Sequence, residues 1–183
     1  MYKKNVIAIC GSTRHNSINH SLINAISHIS VQDLNISVYS KIGNLPQFNP
    51  DDDDENVAKE VTDFRRQLDQ ADGILICTPE YAHGVPGSLK NAIDWTVSSS
   101  NFTQKPTMLV TASTDGKYGH AALLETLKAI DAKNVDSLQM VIEFAKTKVS
   151  LDGRITDDDT LIKISTLLST FVGSLYVNTE TEF

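Results

Sequence analysis

Apolar positions along the chain fall into two alternating kinds of segment. Val6-Ile7-Ala8-Ile9-Cys10 is an unbroken apolar run, the pattern of a strand buried on both faces. Ile18, Leu22, Ile26 and Ile29 then recur at steps of four, four and three, which marks one face of a helix. Leu34, Ile36 and Val38 alternate with Asn35, Ser37 and Tyr39, the period of a half-exposed strand, and so of a sheet edge. Beyond a loop with Pro46 and Pro50, the residues Val57, Val61, Phe64, Leu68 and Ala71 return to helical spacing. The rest repeats the alternation. Residues 74–77 and 108–112 are further two-face-buried runs, and a last strand is expected over 138–142. Helices are expected around Leu89, Ala92, Ile93 and Val97, around Leu123, Leu124, Leu127 and Ile130, and along Leu161, Ile164, Leu168, Phe171 and Leu175.

Five β-α units in succession imply parallel pairing with right-handed crossovers, hence an α/β, doubly wound five-stranded sheet with helices on both faces. The half-polar second strand belongs at an edge and the first, third and fourth inside, which matches the order 2-1-3-4-5. In that order the topological switch lies between strands 1 and 3. The loops after strands 1, 3 and 4 should therefore bound a ligand crevice.

The chain has 183 residues, which suits a single domain over 1–183, and its 40% hydrophobic and 21% charged residues are ordinary globular values. A net charge of −7 disfavours binding to a nucleic-acid backbone or an anionic membrane surface. Lys3 and Lys4 precede an apolar run of only five residues, too short for a signal peptide, and no stretch is long enough to span a membrane. Two cysteines, Cys10 and Cys77, suggest neither a disulfide framework nor a zinc site, and a reduced cytoplasmic setting is the expectation. Both are expected to be buried and inert. The acidic run 51–55 is expected to complement a helix start as a solvated face; as a calcium loop it fails, because Asn56 stands where a glycine is needed.

Two loops carry chemistry. The first, Gly11-Ser12-Thr13-Arg14-His15-Asn16-Ser17-Ile18-Asn19, joins a buried strand to a helix start, where free backbone N–H groups favour a phosphate. Ser12, Ser17 and Asn19 add hydrogen bonds and Arg14 a bidentate cation. The plainer reading is a turn at Gly11, a cap at Ser17 or Asn16, and a solvated Arg14. It is neither a Walker loop nor a G-x-G-x-x-G fingerprint. The second loop begins Pro79-Glu80-Tyr81-Ala82-His83-Gly84-Val85-Pro86-Gly87, where two prolines and two glycines fix an irregular backbone on which a planar ligand can lie. Its continuation through Leu89, Lys90, Asn91, Ala92, Ile93, Asp94 and Trp95 reads as packing, with a Lys90–Asp94 surface pair.

These two motifs, in this order and after these strands, resemble those of the NADPH-dependent FMN reductase family, which includes quinone, azo-dye and chromate reductases on a flavodoxin-like fold. Residues 113–119 resemble the family's third flavin loop, and 152–157 its lead into the last helix. The likeness covers roughly residues 4–175. It departs at Ala82, where the family usually has Asn, and at His120, where a second glycine is common. What the resemblance implies is an FMN phosphate held by Ser12, Arg14, Ser17 and Asn19 with the Ile18 N–H. It implies an isoalloxazine lined by Pro79, Glu80, Tyr81, Ala82, His83 and Gly84, with Ser113 and Gly116 approaching one side. NADPH or NADH would be the co-substrate and a small molecule the acceptor. No side chain would be catalytic, because the hydride chemistry belongs to the flavin. A homodimer or homotetramer is implied as well. Two further readings keep the fold but change the role: a flavodoxin-type electron carrier, for which the charge of −7 would suit basic partners, and a binding domain without turnover. Of the five histidines, His15, His83 and His120 fall on crevice loops, and His83 or His120 is a candidate donor to the acceptor. His20 and His28 are expected to be solvated.

Overall fold

The computed structural model describes residues 2–176; residues 177–183, with the acidic Glu180 and Glu182, lie outside the described part, as does Met1. The five apolar runs become β1 (Lys4–Cys10), β2 (Leu34–Tyr39), β3 (Gly73–Thr78), β4 (Thr107–Ala112) and β5 (Gln139–Ile142). They form one parallel sheet in the order β2-β1-β3-β4-β5. The helices are α1 (Ile18–Ile29), α2 (Lys59–Asp69), α3 (Gly87–Asp94), α4 (Lys117–Ala129) and α5 (Asp158–Tyr176).

Strand alternation sorts the core into two layers. Ile7, Ile9, Ile74, Ile76 and Leu109 point to the face covered by α2, α3 and α4, against Phe64, Trp95 and Leu127. Val6, Ala8, Leu75, Met108 and Val110 point to the face covered by α1 and α5, against Leu22, Ile26, Ile164 and Phe171. Every residue of β3 and β4 is buried, whereas β2 alternates and β5 is mostly half-buried. That is why β2 and β5 are the edges: they carry the polar Asn35, Ser37 and Gln139, none of them buried, where β3 and β4 are buried throughout.

Four sequence expectations need correction. The acidic run does not open α2. It forms a separate 3-10 turn over Pro50–Asp52, and the helix begins only at Lys59. Asp53 leaves the solvated face altogether and pairs with Arg65 at 2.8 Å. Leu161 is 36% exposed: the buried stripe of α5 keeps the expected Ile164, Leu168, Phe171 and Leu175, but its first member is Thr160 in place of Leu161. His120 is buried at 7% exposure, its Nδ1 bonded to Thr111 Oγ1 at 2.8 Å and its Nε2 to Gln139 Oε1 at 2.5 Å. Both ring nitrogens are occupied across β4 and β5, so His120 is no acceptor ligand.

Candidate FMN site

The carboxyl ends of the strands gather loops 11–17, 79–86, 113–116 and 143–157, and a cavity of about 710 Å³ opens among them. Its position follows from the sheet order, since β1 sends its loop toward α1 and β2 while β3 sends its loop the other way. Ser12, Arg14, Ser17, Ile18 and Asn19 line it from the first loop, and Pro79, Glu80 and Tyr81 from the second. Ser113 adds a wall from the third loop. Gly116 is placed elsewhere: it is buried at φ +105°, heading α4, with Thr111 and Val141 against it. Ala82, His83 and Gly84 form the turn beyond the cavity rather than its wall.

Gly11 continues the ladder, its N–H donating to the Cys77 carbonyl at 2.9 Å, and a Cβ there would stand 2.2 Å from Thr78 Oγ1. Only glycine brings β1 and β3 this close at the mouth of the crevice. Ser12 Oγ lies 3.2 Å from the Tyr81 hydroxyl and joins the two motif loops. Ser17 occupies the N-cap position of α1, yet its side chain caps nothing, and no acid stands in the first turn. The start of α1 therefore keeps unsatisfied donors and an uncompensated positive end. Asn19, 3% exposed, donates through Nδ2 to the Ala112 carbonyl at 2.9 Å, and its Oδ1 has no partner among the described residues.

The second loop is built by Glu80. Its backbone N–H donates to Ser113 Oγ at 3.3 Å, and its Oε2 accepts from the Gly119 N–H at 2.6 Å. The carboxylate thus sits on the first turn of α4, where a negative charge is favoured. Tyr81 and Gly84 then exchange backbone hydrogen bonds at 3.1 and 2.9 Å, closing a two-residue hairpin. Ala82 and His83 fill it at φ 49° and 58°, left-handed positions that favour Asn and Gly. The His83 ring meets Tyr118 edge-on at 4.7 Å, with Nδ1 3.7 Å from Glu80 Oε1. Farther along, the motif is structural. Trp95 Nε1 and Asn91 Nδ2 both donate to the Pro46 carbonyl, at 2.8 and 2.9 Å, and Lys90 pairs with Asp94. The two cysteines face each other in register on β1 and β3, buried and unlinked. Burial pushes both thiols up, Cys77 further, which leaves little of the reactive thiolate.

One wall is not anticipated by the motifs. Phe144, Lys146, Thr147, Ser150 and Leu151, from the connection between β5 and α5, also face the cavity. The signal available was positional: every loop that leaves the carboxyl edge of a parallel sheet borders the same crevice.

The model of the NADPH-dependent FMN reductase family matches residues 4–147. The chain belongs to that family. It is 30% identical over 175 residues to the NADH:(hydroxy)cinnamate reductase subunit CrdA of Vibrio ruber, covering 92% of this chain and 85% of that one. To the quinone reductase of Escherichia coli it is 29% identical over 177 residues, covering 92% and 94%. Among solved structures it superposes on FerB, a flavoenzyme NAD(P)H:(acceptor) oxidoreductase from Paracoccus denitrificans, with TM-score 0.81 and 25% identity over 94% of this chain and 97% of that one. The protein is an FMN-dependent NAD(P)H oxidoreductase of flavodoxin-like fold.

The residues present suit the cofactor. An uncapped helix start beside an arginine is an anion site, and a buried acceptor without a donor is the complement of a sugar hydroxyl. The cavity is of a size that takes a nucleotide-sized ligand.

Proposed function

We propose that residues 1–183 act as one FMN-binding unit that reduces a small acceptor, a quinone before others, at the expense of NAD(P)H. The observation that carries this reading is the convergence of Ser12, Arg14, Asn19 and Tyr81 on one cavity that retains an unpartnered buried acceptor. The names of the relatives, quinone reductases among them, support the acceptor class.

Each residue has a distinct task. Arg14, the Ser12 and Ser17 hydroxyls and the free N–H groups of Ile18 and Asn19 take the phosphate. Asn19 Oδ1 does not share in it, because an acceptor facing phosphate oxygens is repelled; it accepts from a ribityl hydroxyl. Pro79, Tyr81 and the backbone of Ala82, His83 and Gly84 edge the ring system, Ser113 lies on its other side, and Gly116 shapes that loop from behind. Glu80 positions the hairpin through Gly119. When bound, the flavin supplies two-electron transfer at N5 between NAD(P)H and the acceptor. The protein excludes water along the walls and keeps one face open, so donor and acceptor take turns. Initial rates measured against NADPH at several fixed benzoquinone concentrations are expected to give parallel double-reciprocal lines; intersecting lines would reject a shared site.

The cytoplasm is the compartment that fits two adjacent cysteines left unlinked, and no helix among the described residues is long and apolar enough to cross a membrane. Tyr81 and Tyr118, 46% and 60% exposed beside the cavity mouth, favour a homodimer or homotetramer that covers them.

A further inference from the structure

The wall that the family motifs do not supply carries a cation of its own. Lys146 sits in the 3-10 turn Ala145–Thr147 and faces the same cavity as Arg14. Neither has an ion-pair or hydrogen-bond partner for its charged end among the described residues. The lone carboxylate among the described lining residues is Glu80, which is already engaged by the Gly119 N–H.

The backbone frame shows how Lys146 is brought to the start of α1. Asn19, in the first turn of α1, is tied to the Ala112 carbonyl, and the very next carbonyl, that of Ser113, accepts from the Ala145 N–H at 3.0 Å. The Phe144 N–H donates to the Thr114 carbonyl at 3.1 Å, and Phe144 turns the chain at φ 52°. On the far side of Lys146 the same connection docks on α1. Ser21 Oγ lies 3.3 Å from the Ser17 carbonyl and 3.1 Å from that of Leu151, bridging helix and loop. Lys146 is thus held between an attachment to the loop after β4, one residue beyond the carbonyl that Asn19 takes, and an attachment to α1 at Ser21, with a long flexible stem and an unengaged ammonium.

We propose that Lys146 is the second cation of the phosphate subsite, so that a phosphomonoester dianion is held between Arg14 on one loop and Lys146 on the other. This rests on the FMN reading above and adds to it a residue outside the two motifs. An ammonium–phosphate contact of this kind acts only on ligands that carry the phosphate.

FMN and riboflavin share the ring and the ribityl chain and differ in the phosphate, so their affinities, read from flavin fluorescence on titration, isolate the contact. Lys146→Ala is expected to weaken FMN binding about tenfold and leave riboflavin unchanged, since the lost contact is a charge-assisted one to the phosphate alone. Lys146→Arg is expected to restore FMN affinity, and the alanine variant to show a shallower dependence on salt. Wild-type FMN affinity in Lys146→Ala would overturn the assignment, and so would equal losses for the two flavins, which a merely structural role would produce. Wild-type protein that binds neither flavin would instead overturn the FMN reading, and this assignment with it.

Discussion

Ala82 and His83 occupy consecutive left-handed positions that cost little only for residues such as Asn and Gly. The hairpin persists because Tyr81 and Gly84 close it and His83 leans on Tyr118. Ala82→Asn combined with His83→Gly is expected to raise stability by about 1 kcal/mol, or ~3 °C in Tm by calorimetry. A lower Tm would mean that the His83 contacts outweigh the backbone strain. Two other residues separate the ends of the cofactor. Arg14→Ala is expected to weaken FMN about tenfold and riboflavin hardly at all. Asn19→Leu is expected to weaken both alike, because Oδ1 serves the ribityl chain that both possess. A selective loss of FMN in Asn19→Leu would return Asn19 to the phosphate. The residue types at 12, 14, 17 and 19 announce an anion site in the sequence. The division of labour among them depends on which Asn19 atom the Ala112 carbonyl takes, and that is a contact across 93 positions.

Two elements illustrate why some parts of the site were hidden. The start of α4 is held by Glu80, and a Cβ on Gly119 would stand 2.9 Å from the Gly84 carbonyl and 3.0 Å from Glu80 Cγ. Gly119→Ala is therefore expected to cost about 1–3 kcal/mol and to loosen the hairpin, detectable as a lower Tm and faster amide exchange at Tyr81 and Gly84. Periodicity finds α4 but says nothing of what braces its first turn. The acidic run gives the same lesson. Composition marks 51–55 as a surface, yet Asp53 meets both Arg65 and the Ser98 hydroxyl, locking the loop before α2 onto α2 and the chain after α3. Burial pushes the Asp53 carboxyl up, but Ser98 and Arg65 outweigh it and hold it below the usual carboxylate range. A depressed native pKa stabilises the fold above the unfolded value of about 4, and that contribution fades as pH falls below it. Asp53→Asn is expected to cost about 2 kcal/mol at pH 7. In urea titrations its deficit against wild type is expected to shrink below pH 4; a deficit independent of pH would assign the loss to packing. Asp152, in the connection before α5, follows the same sign: Arg154 and Ser150 hold its carboxyl down to about 2, so the turn keeps its ion pair through mild acid.

At the scale of the whole molecule, the strand order was legible because burial differs between strands. The half-polar period of Leu34, Ile36 and Val38 placed β2 at the rim, and the unbroken runs placed β1, β3 and β4 inside. From the order followed the crevice, and from the crevice the two motif loops. The β5–α5 wall carries neither a run nor a motif to mark it, and His120, a candidate from its place on a crevice loop, is buried by contacts to Thr111 and Gln139 on β4 and β5 that periodicity does not show. The charge of −7 belongs to the outer surface, whereas the cavity presents Arg14 and Lys146 against one committed carboxylate. The exposed Tyr81 and Tyr118 predict an assembly, and light scattering is expected to give a mass of two or four chains; a monomer would leave the mouth open to solvent. The most direct test is a titration of FMN-loaded protein with NADPH under anaerobic conditions. The protein is expected to take up one FMN per chain, and one equivalent of NADPH to bleach the flavin absorbance fully. Protein that takes up no FMN, or bound flavin that NADPH leaves oxidised, would contradict FMN-dependent turnover of NAD(P)H.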